Sequence, residues 1–340
     1  MKTCVIFGGC GFISLYFAEE LINLKTCELI YLVDINEPTD NFLISKFLLL
    51  KKSQKVKFIK GDVRQNLDNL SIKNVDLIVD FAAVHREPGH KDHEYFETNV
   101  EGSKNICNFA DHTNCKNIIF TSSIAVYGTG DYEKNEITKT LPVTAYGKSK
   151  LECEKNYTIW HNKNKNERII TICRPGVVFG PGEKGNVTRL IKIIKKRFFF
   201  YFGNKDLRKA GIYIKELVNI FLWVNQKQIN RNFESKTLFN ASLVPCPQLN
   251  NFAKEISKQF NLSGNFLSIP KSLVMFFLFI TSFITKNLKS SSNFSHVRLK
   301  KLFRSNSIKP SFLLDKKYHF KYNLSTSMED WKKTNPSDWI

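Results

Sequence analysis

The stretch TCVIFGGCGFISLYFAEELINL, from Thr3 to Leu24, constrains the fold more than any other part of the chain. A short apolar run leads into Gly8, Gly9 and Gly11, and an amphipathic segment follows at once. Glycines there permit a tight turn and let backbone N–H groups at a helix N-terminus approach an anion. A glycine cluster alone says little, so the context decides. A second strand-like run, ELIYLVD, ends at Asp34, 23 residues after Gly11. An acid at that place accepts hydrogen bonds from ribose hydroxyls and repels a 2′-phosphate, and the next residues, Ile35 and Asn36, bring no arginine. The pattern predicts a dinucleotide site that takes NAD in preference to NADP.

Strand and helix signals then alternate. VKFIKGDV, VDLIVDFAA, NIIFTSS and RIITICRP read as strands, with helices expected at about 93–112 and 145–161. Such alternation predicts an α/β protein with a Rossmann-type, doubly wound parallel sheet. Residues 1–180 would form the cofactor domain, to which later segments return, and 181–340 a smaller substrate-binding lobe. Asp62, closing FIKGD, either meets the adenine amino group or is a solvated strand end. Ala82 and Ala83 leave room for the cofactor backbone. Further on, GIYIKELVNIFLWV reads as strand then helix, and CPQLNNFAKEISKQF as another helix.

Two pieces carry chemistry: FTSSIAVYG, with Ser122 and Ser123, and AYGKSK, with Tyr146 and Lys150. The i, i+4 spacing sets the phenol and the ammonium on one helical face. An ammonium there favours the phenolate, and a serine hydroxyl at the preceding strand end can hold the substrate oxygen beside it. Together they form a general acid/base for the O–H of an alcohol whose carbon is oxidised by NAD. His85 and Arg86 follow the fourth strand at the end where such sheets bind ligands. Arg86 is open to two readings: a substrate phosphate, or an ion pair with Glu87 or Asp92. His85 reads as an orienting group. Asn186, at the start of a helix, either caps it or meets a phosphate.

These motifs, together with GDV, FAA and RPGVVFGPG, resemble the extended short-chain dehydrogenase/reductase family of nucleotide-sugar epimerases and dehydratases. The resemblance runs to about Trp331. It implies Ser123 as catalytic hydroxyl, Tyr146 as base and Lys150 as its partner and ribose ligand. It also implies cofactor contacts at Gly8, Gly11, Phe12, Ile13, Asp34, Asp62, Val63, Ala82, Ala83, Asn99 and Pro175. LLDKKYHFKYNLSTSMEDWKK resembles the family's closing strand-turn-helix. A homodimer through the two helices near 93–112 and 145–161 is implied too. Where soluble UDP-galactose 4-epimerases carry a diphosphate-gripping Asn, Val177 stands here; where they carry an Arg, Lys209 stands beside Arg208. A dehydratase would need an acid and a base after the catalytic Ser, but Ile124 and Ala125 follow Ser123. AAVHREP, NIIFTSSIAVYG and RPGVVFGPGEKGNVTRLIKII resemble a narrower group, epimerases of N-acetylglucosamine carried on diphospho-undecaprenol. That implies a diphosphate-linked sugar substrate contacting His85, Arg86, Ser123, Asn186, Arg208 and Lys209. A soluble UDP-sugar 4-epimerase and a keto-sugar reductase or sterol-type dehydrogenase are the alternatives.

Charge divides the chain. Residues 1–183 hold 23 Lys+Arg and 23 Asp+Glu; residues 184–340 hold 28 and 8. A basic second half suits phosphorylated ligands or anionic lipid, and no nucleic-acid motif accompanies it. From Leu273 to Thr285 there are 13 residues without a charge, too few to span a bilayer, which needs about 20. A helix over 272–285 would be core, or an interfacial helix on the inner face of the plasma membrane. KKRFFFYFGN is basic and aromatic, as a membrane patch would be, but the resemblance implies a helix end followed by a short strand there, and burial of most of its Phe residues is the expectation. Eight cysteines without a C-x-x-C pair read as reduced, buried thiols, not a metal site; with no cleavable signal, the chain is expected to be cytoplasmic.

Overall fold

The computed structural model describes residues 1–87, 89–270, 272–273 and 305–340. The helix expected over 272–285 therefore lies, from residue 274 on, outside the described residues. Strands are β1 Thr3–Phe7, β2 Leu29–Asp34, β3 Val56–Lys60, β4 Leu77–Asp80, β5 Asn117–Thr121, β6 Ile169–Pro175, β7 Val177–Phe179, β8 Tyr201–Phe202, β9 Gly211–Tyr213, β10 Lys236–Ala241 and β11 Ser268–Ile269. Helices are α1 Phe12–Asn23, α2 Asn41–Lys52, α3 Asp92–Tyr95, α4 Gly102–His112, α5 Ala145–Asn162, α6 Asn186–Lys195, α7 Ile214–Ile229, α8 Leu249–Gln259, α9 Ser311–Asp315 and α10 Leu324–Thr334.

Seven parallel strands form one sheet in the order β10-β6-β5-β4-β1-β2-β3. The fold is thus the expected Rossmann-type α/β sheet. Sequence order runs outward from β1 through β2 and β3 on one side and from β4 through β5 and β6 on the other, and this switch between β1 and β4 opens a crevice at their C-terminal ends. All four residues of β4 and all five of β5 are buried, because helices cover both faces of a parallel sheet. On one face Leu15, Phe17 and Leu21 of α1 and Leu217 and Phe221 of α7 pack on Ile6, Leu32 and Val79. On the other, Ile106 and Phe109 of α4 and Tyr157 and Trp160 of α5 pack on Phe7, Ile78 and Phe120.

Several local features were not among the expectations. Asp40 caps α2 by accepting from the amides of Phe42 and Leu43, both at 3.1 Å, worth about 1 kcal/mol. β10 comes from the second half and closes the sheet beside β6. A π-helical turn, Phe96–Glu101, joins α3 to α4 and carries Asn99. All eight cysteines are free and buried, as expected.

Two expectations need correction. Leu313, Leu314 and Asp315 lie in the short helix α9 and not in a strand; Glu136 accepts hydrogen bonds from the Ser311 and Phe312 amides, which fixes that helical start. The aromatic run after α6 is not mostly buried. It leaves α6 through a turn at Arg197 and reaches strand β8 at Tyr201, and exposure alternates along it. Phe199 and Tyr201 turn inward, 5.0 Å apart, with Phe266 also 5.0 Å from Phe199. Phe198, Phe200 and Phe202 turn outward and are 75%, 37% and 40% exposed.

Candidate active site

At the C-terminal end of β1 the chain turns sharply. Gly8 has φ +68°, and a Cβ on it would come 2.7 Å from the Ala82 backbone, so no larger residue fits. The Gly11 amide donates to Gly8 O at 3.0 Å, and Ser14 Oγ donates to the same oxygen at 2.5 Å. Gly11 then opens α1 with no side chain capping it, which leaves first-turn N–H groups at Phe12 and Ile13 for an anion. Asp34 closes β2 and accepts from the Cys10 amide at 3.0 Å, tying the acid to the glycine turn. Burial raises the Asp34 pKa. This uncapped turn fits the diphosphate of a dinucleotide, with Asp34 placed for its ribose.

Asp62 and Val63 follow β3 at the same edge of the sheet. The Asp62 carboxylate holds Arg64 at 2.6 Å, and that hydrogen bond keeps its pKa low. Its charge is thereby committed to a neighbour, which the sequence reading did not include. Asn99 is buried in the π-helical turn. Its amide accepts from Val84 N at 2.9 Å and donates to Val84 O and to Ser149 Oγ, so every polar atom of the side chain is engaged. It ties the loop after β4 to α5.

Thr144 caps α5 by accepting from the Gly147 amide at 3.1 Å, which fixes the phase of the helix. Tyr146 and Lys150 then stand one turn apart. A Cβ on Gly147 would meet Ala125 O at 2.6 Å, so α5 rests directly against the turn that follows Ser123. That close approach brings the three residues into one site. Lys150 is buried and donates to Thr121 O at 2.8 Å, next to the end of β5. Ser123 Oγ accepts from the Ala125 amide at 3.1 Å, which leaves its proton to donate. Among the described residues no protein group bonds the half-buried Tyr146 hydroxyl, and its ring lies 6.2 Å from that of Tyr95. Tyr95 in turn donates to the Arg86 carbonyl. His85 stands at the cleft; the water it loses there, then the charges of Lys150 and Arg86, hold its pKa below the usual value.

Sequence reading missed the network beneath these groups. Glu154, one turn beyond Lys150, accepts from Ser122 Oγ and from Arg174 Nε at 2.8 Å and Nη2 at 2.6 Å. Arg174 also donates to the Tyr127 hydroxyl at 3.0 Å, which donates to Asn240 of β10 at 2.7 Å. All five side chains are buried. The spacing of four from Lys150 to Glu154 was the available signal. Asp80, closing β4, accepts from the Tyr157 hydroxyl at 2.7 Å and from the Ala82 amide at 3.0 Å, holding the strand end against α5.

The substrate candidates from the second half fall in different places. Pro175 is buried at the end of β6. Arg208 donates to Cys246 O at 3.2 Å, and Lys209 pairs its amide with Pro247 O at 2.8 Å. The next residue, Ala210, packs with Val126 and Tyr127 of the turn after Ser123, so Lys209 adjoins the catalytic turn. Burial pushes the Lys209 pKa down to about 8. Asn186 is exposed at the first position of α6 and does not cap it; Glu183 does, accepting from the Thr188 amide at 3.0 Å. Val177 lies in β7, half-buried.

Residues 5–270 match the 3-beta hydroxysteroid dehydrogenase/isomerase family. The chain is 32% identical over 243 residues to the N-acetyl-alpha-D-glucosaminyl-diphospho-ditrans,octacis-undecaprenol 4-epimerase of Escherichia coli O157:H7, covering 71% of this chain and 72% of that one. It is 31% identical over 183 residues to a UDP-glucose 4-epimerase of Vibrio cholerae, 51% of this chain and 55% of the other. The crystal structure of UDP-glucuronic acid 4-epimerase from Bacillus cereus in complex with NAD superposes with a TM-score of 0.77 at 16% identity, covering 100% of both chains. That likeness concerns the fold.

Proposed function

The chain belongs to the 3-beta hydroxysteroid dehydrogenase/isomerase family of extended short-chain dehydrogenase/reductases, and on that premise we propose that it is an NAD-dependent sugar 4-epimerase acting on N-acetylglucosamine linked through diphosphate to undecaprenol. The observation that carries the choice of substrate is the 32% identity, over most of both chains, to an epimerase of that lipid-linked sugar. The site geometry supports the chemistry. Gly8, Gly11 and the first turn of α1 would hold the cofactor diphosphate, Asp34 a ribose and Lys150 the other ribose. NAD, when bound, supplies the two-electron oxidant for carbon 4 and, once reduced, the matching reductant.

Tyr146 takes the proton from the 4-hydroxyl as carbon 4 becomes a ketone. Ser123 donates its unclaimed proton to the same oxygen and holds it next to the phenol. Lys150, fixed by Thr121 O, keeps a positive charge beneath Tyr146 while the phenol is deprotonated. The keto sugar turns over, and Tyr146 returns the proton when carbon 4 is reduced from the opposite face. Only one stereocentre changes, so no external oxidant is consumed. Lys209 and Arg86 would hold the diphosphate. Such a substrate places the protein at the inner face of the membrane; among the described residues no helix is long and apolar enough to cross one.

Purified protein supplied in parallel with N-acetylglucosaminyl-diphospho-undecaprenol and with UDP-N-acetylglucosamine tests the reading. Conversion of the lipid-linked sugar to its galacto epimer is the expected result. Conversion of the free nucleotide sugar alone would refute it in favour of a soluble epimerase.

A further inference from the structure

The outward face of β8 is apolar where an exposed edge strand is ordinarily polar. Phe202 of β8 is 40% exposed, and in the residues just before the strand Phe198 and Phe200 are 75% and 37% exposed. The parallel register that pairs Tyr201 with Ser268 sets Leu267, 74% exposed, opposite Phe200. Leu273, 45% exposed, lies four residues beyond β11, where the uncharged run of the sequence begins. Isolated exposed apolar side chains are ordinary, but this group is contiguous along one short two-stranded sheet.

Its surroundings have one sign of charge. From Lys184 to Lys205 there are seven Lys+Arg and no Asp or Glu. Lys192, Lys195, Lys196 and Arg197 at the end of α6 are exposed, and Arg197 takes φ +60° to turn the chain from the helix into the aromatic strand. Cations therefore collect where the phenyl rings emerge. α6 has ten residues, about 15 Å, and its other end opens at Asn186. A protein partner for such a face would have to be both acidic and apolar, whereas an anionic bilayer offers both properties in one surface.

We propose that the Phe198/Phe200/Phe202 face, with Leu267 and the Lys192–Arg197 cations, is the surface by which the protein docks on an anionic membrane leaflet. The phenyl rings enter the headgroup boundary and the cations meet lipid phosphates. The proposal rests on the lipid-linked reading for its purpose, but not for its geometry.

Flotation of the full-length protein with two kinds of vesicle tests it: phosphatidylcholine alone, and phosphatidylcholine with about one-third phosphatidylglycerol. Wild type is expected on the anionic vesicles and to leave them as salt is raised. Phe198→Ser/Phe202→Ser and Lys195→Gln/Lys196→Gln/Arg197→Gln should each lower the bound fraction about tenfold, with melting temperature and NAD-induced stabilisation retained. Failure of wild type to bind, or equal binding by the variants, would overturn the proposal. So would loss of binding only in Phe276→Ser/Phe277→Ser/Phe279→Ser. A drop in oligomeric mass by light scattering in Phe198→Ser/Phe202→Ser would instead assign the face to a second copy of the chain, and would overturn it too. Turnover of the lipid-linked sugar in detergent micelles separates the two ideas. It needs no vesicle, so its success or failure judges the substrate reading and leaves the docking result to stand alone.

Discussion

Around β5 and α5, a set of buried charged and polar side chains beneath the reacting atoms is paired inside the protein, while Thr121 Oγ1 has no partner among the described residues. Glu154 holds Arg174 and Ser122, Asp80 holds Tyr157, and Asn99 spends its whole amide on Val84 and Ser149. Around α6 and β8 the pattern inverts: lysines and an arginine stand exposed and phenyl rings face outward. The first region has equal numbers of acids and bases, and the second almost lacks acids. A satisfied, buried network holds a hydroxyl and a phenol in one geometry with little freedom. Apolar rings exposed to water carry a cost that is recovered when something covers them, and the cations beside them are exposed, Lys195 also donating to Ile340 O at 2.9 Å. The difference separates the part that performs the reaction from the part that meets the carrier of the substrate.

The comparison breaks first at Tyr146. Tyr146→Phe should cut turnover about a hundred- to ten-thousand-fold while NAD still raises the melting temperature. Retained turnover would remove Tyr146 as the base. Next, Glu154→Gln should strand the Arg174 guanidinium in the core and cost about 3–5 kcal/mol in denaturant unfolding. A loss no larger than that of an exposed pair would show that the network is not what fixes β5 to α5. A smaller effect concerns pH. With its pKa held down to about 8 by burial, Lys209 is cationic below that pH and neutral above it. If it grips the diphosphate, kcat/KM should fall as pH rises through about 8, and Lys209→Arg should move that fall upward. A profile unchanged in Lys209→Arg would exclude the role. Smallest of all, Phe198→Ser should shift stability by no more than about 0.5 kcal/mol, since the ring is exposed. A loss of several kcal/mol would mean the ring is core.

Much of the fold was legible because the central strands announce themselves locally. Thr3–Phe7, Leu77–Asp80 and Asn117–Thr121 are unbroken apolar runs bounded by turns, as buried parallel strands are. The placing of Tyr146 and Lys150 one turn apart on α5 was legible for the same reason, since helical spacing is a local property, whereas the choice of Ser123 over Ser122 came from the family resemblance. What failed depended on distant partners. A returning segment was expected, but that Lys236–Ala241 is the one to pair with β6 is set by tertiary packing. The capping of α6 by Glu183 instead of Asn186 depends on how the preceding loop folds back. Phe198 to Phe202 show the limit well. Position in the family favoured burial over the membrane patch that the composition suggested, but a strand has two faces, and the sequence does not say whether both are covered.

The account's central claim is a redox-neutral change at carbon 4 with the sugar held in one site, and isotope tracing tests it directly. N-acetylglucosaminyl-diphospho-undecaprenol bearing deuterium at carbon 4 should give the galacto epimer with that deuterium retained at carbon 4, with no net NADH formed and no added oxidant. Loss of the label to solvent, or NADH accumulating in step with a keto product, would contradict the claim.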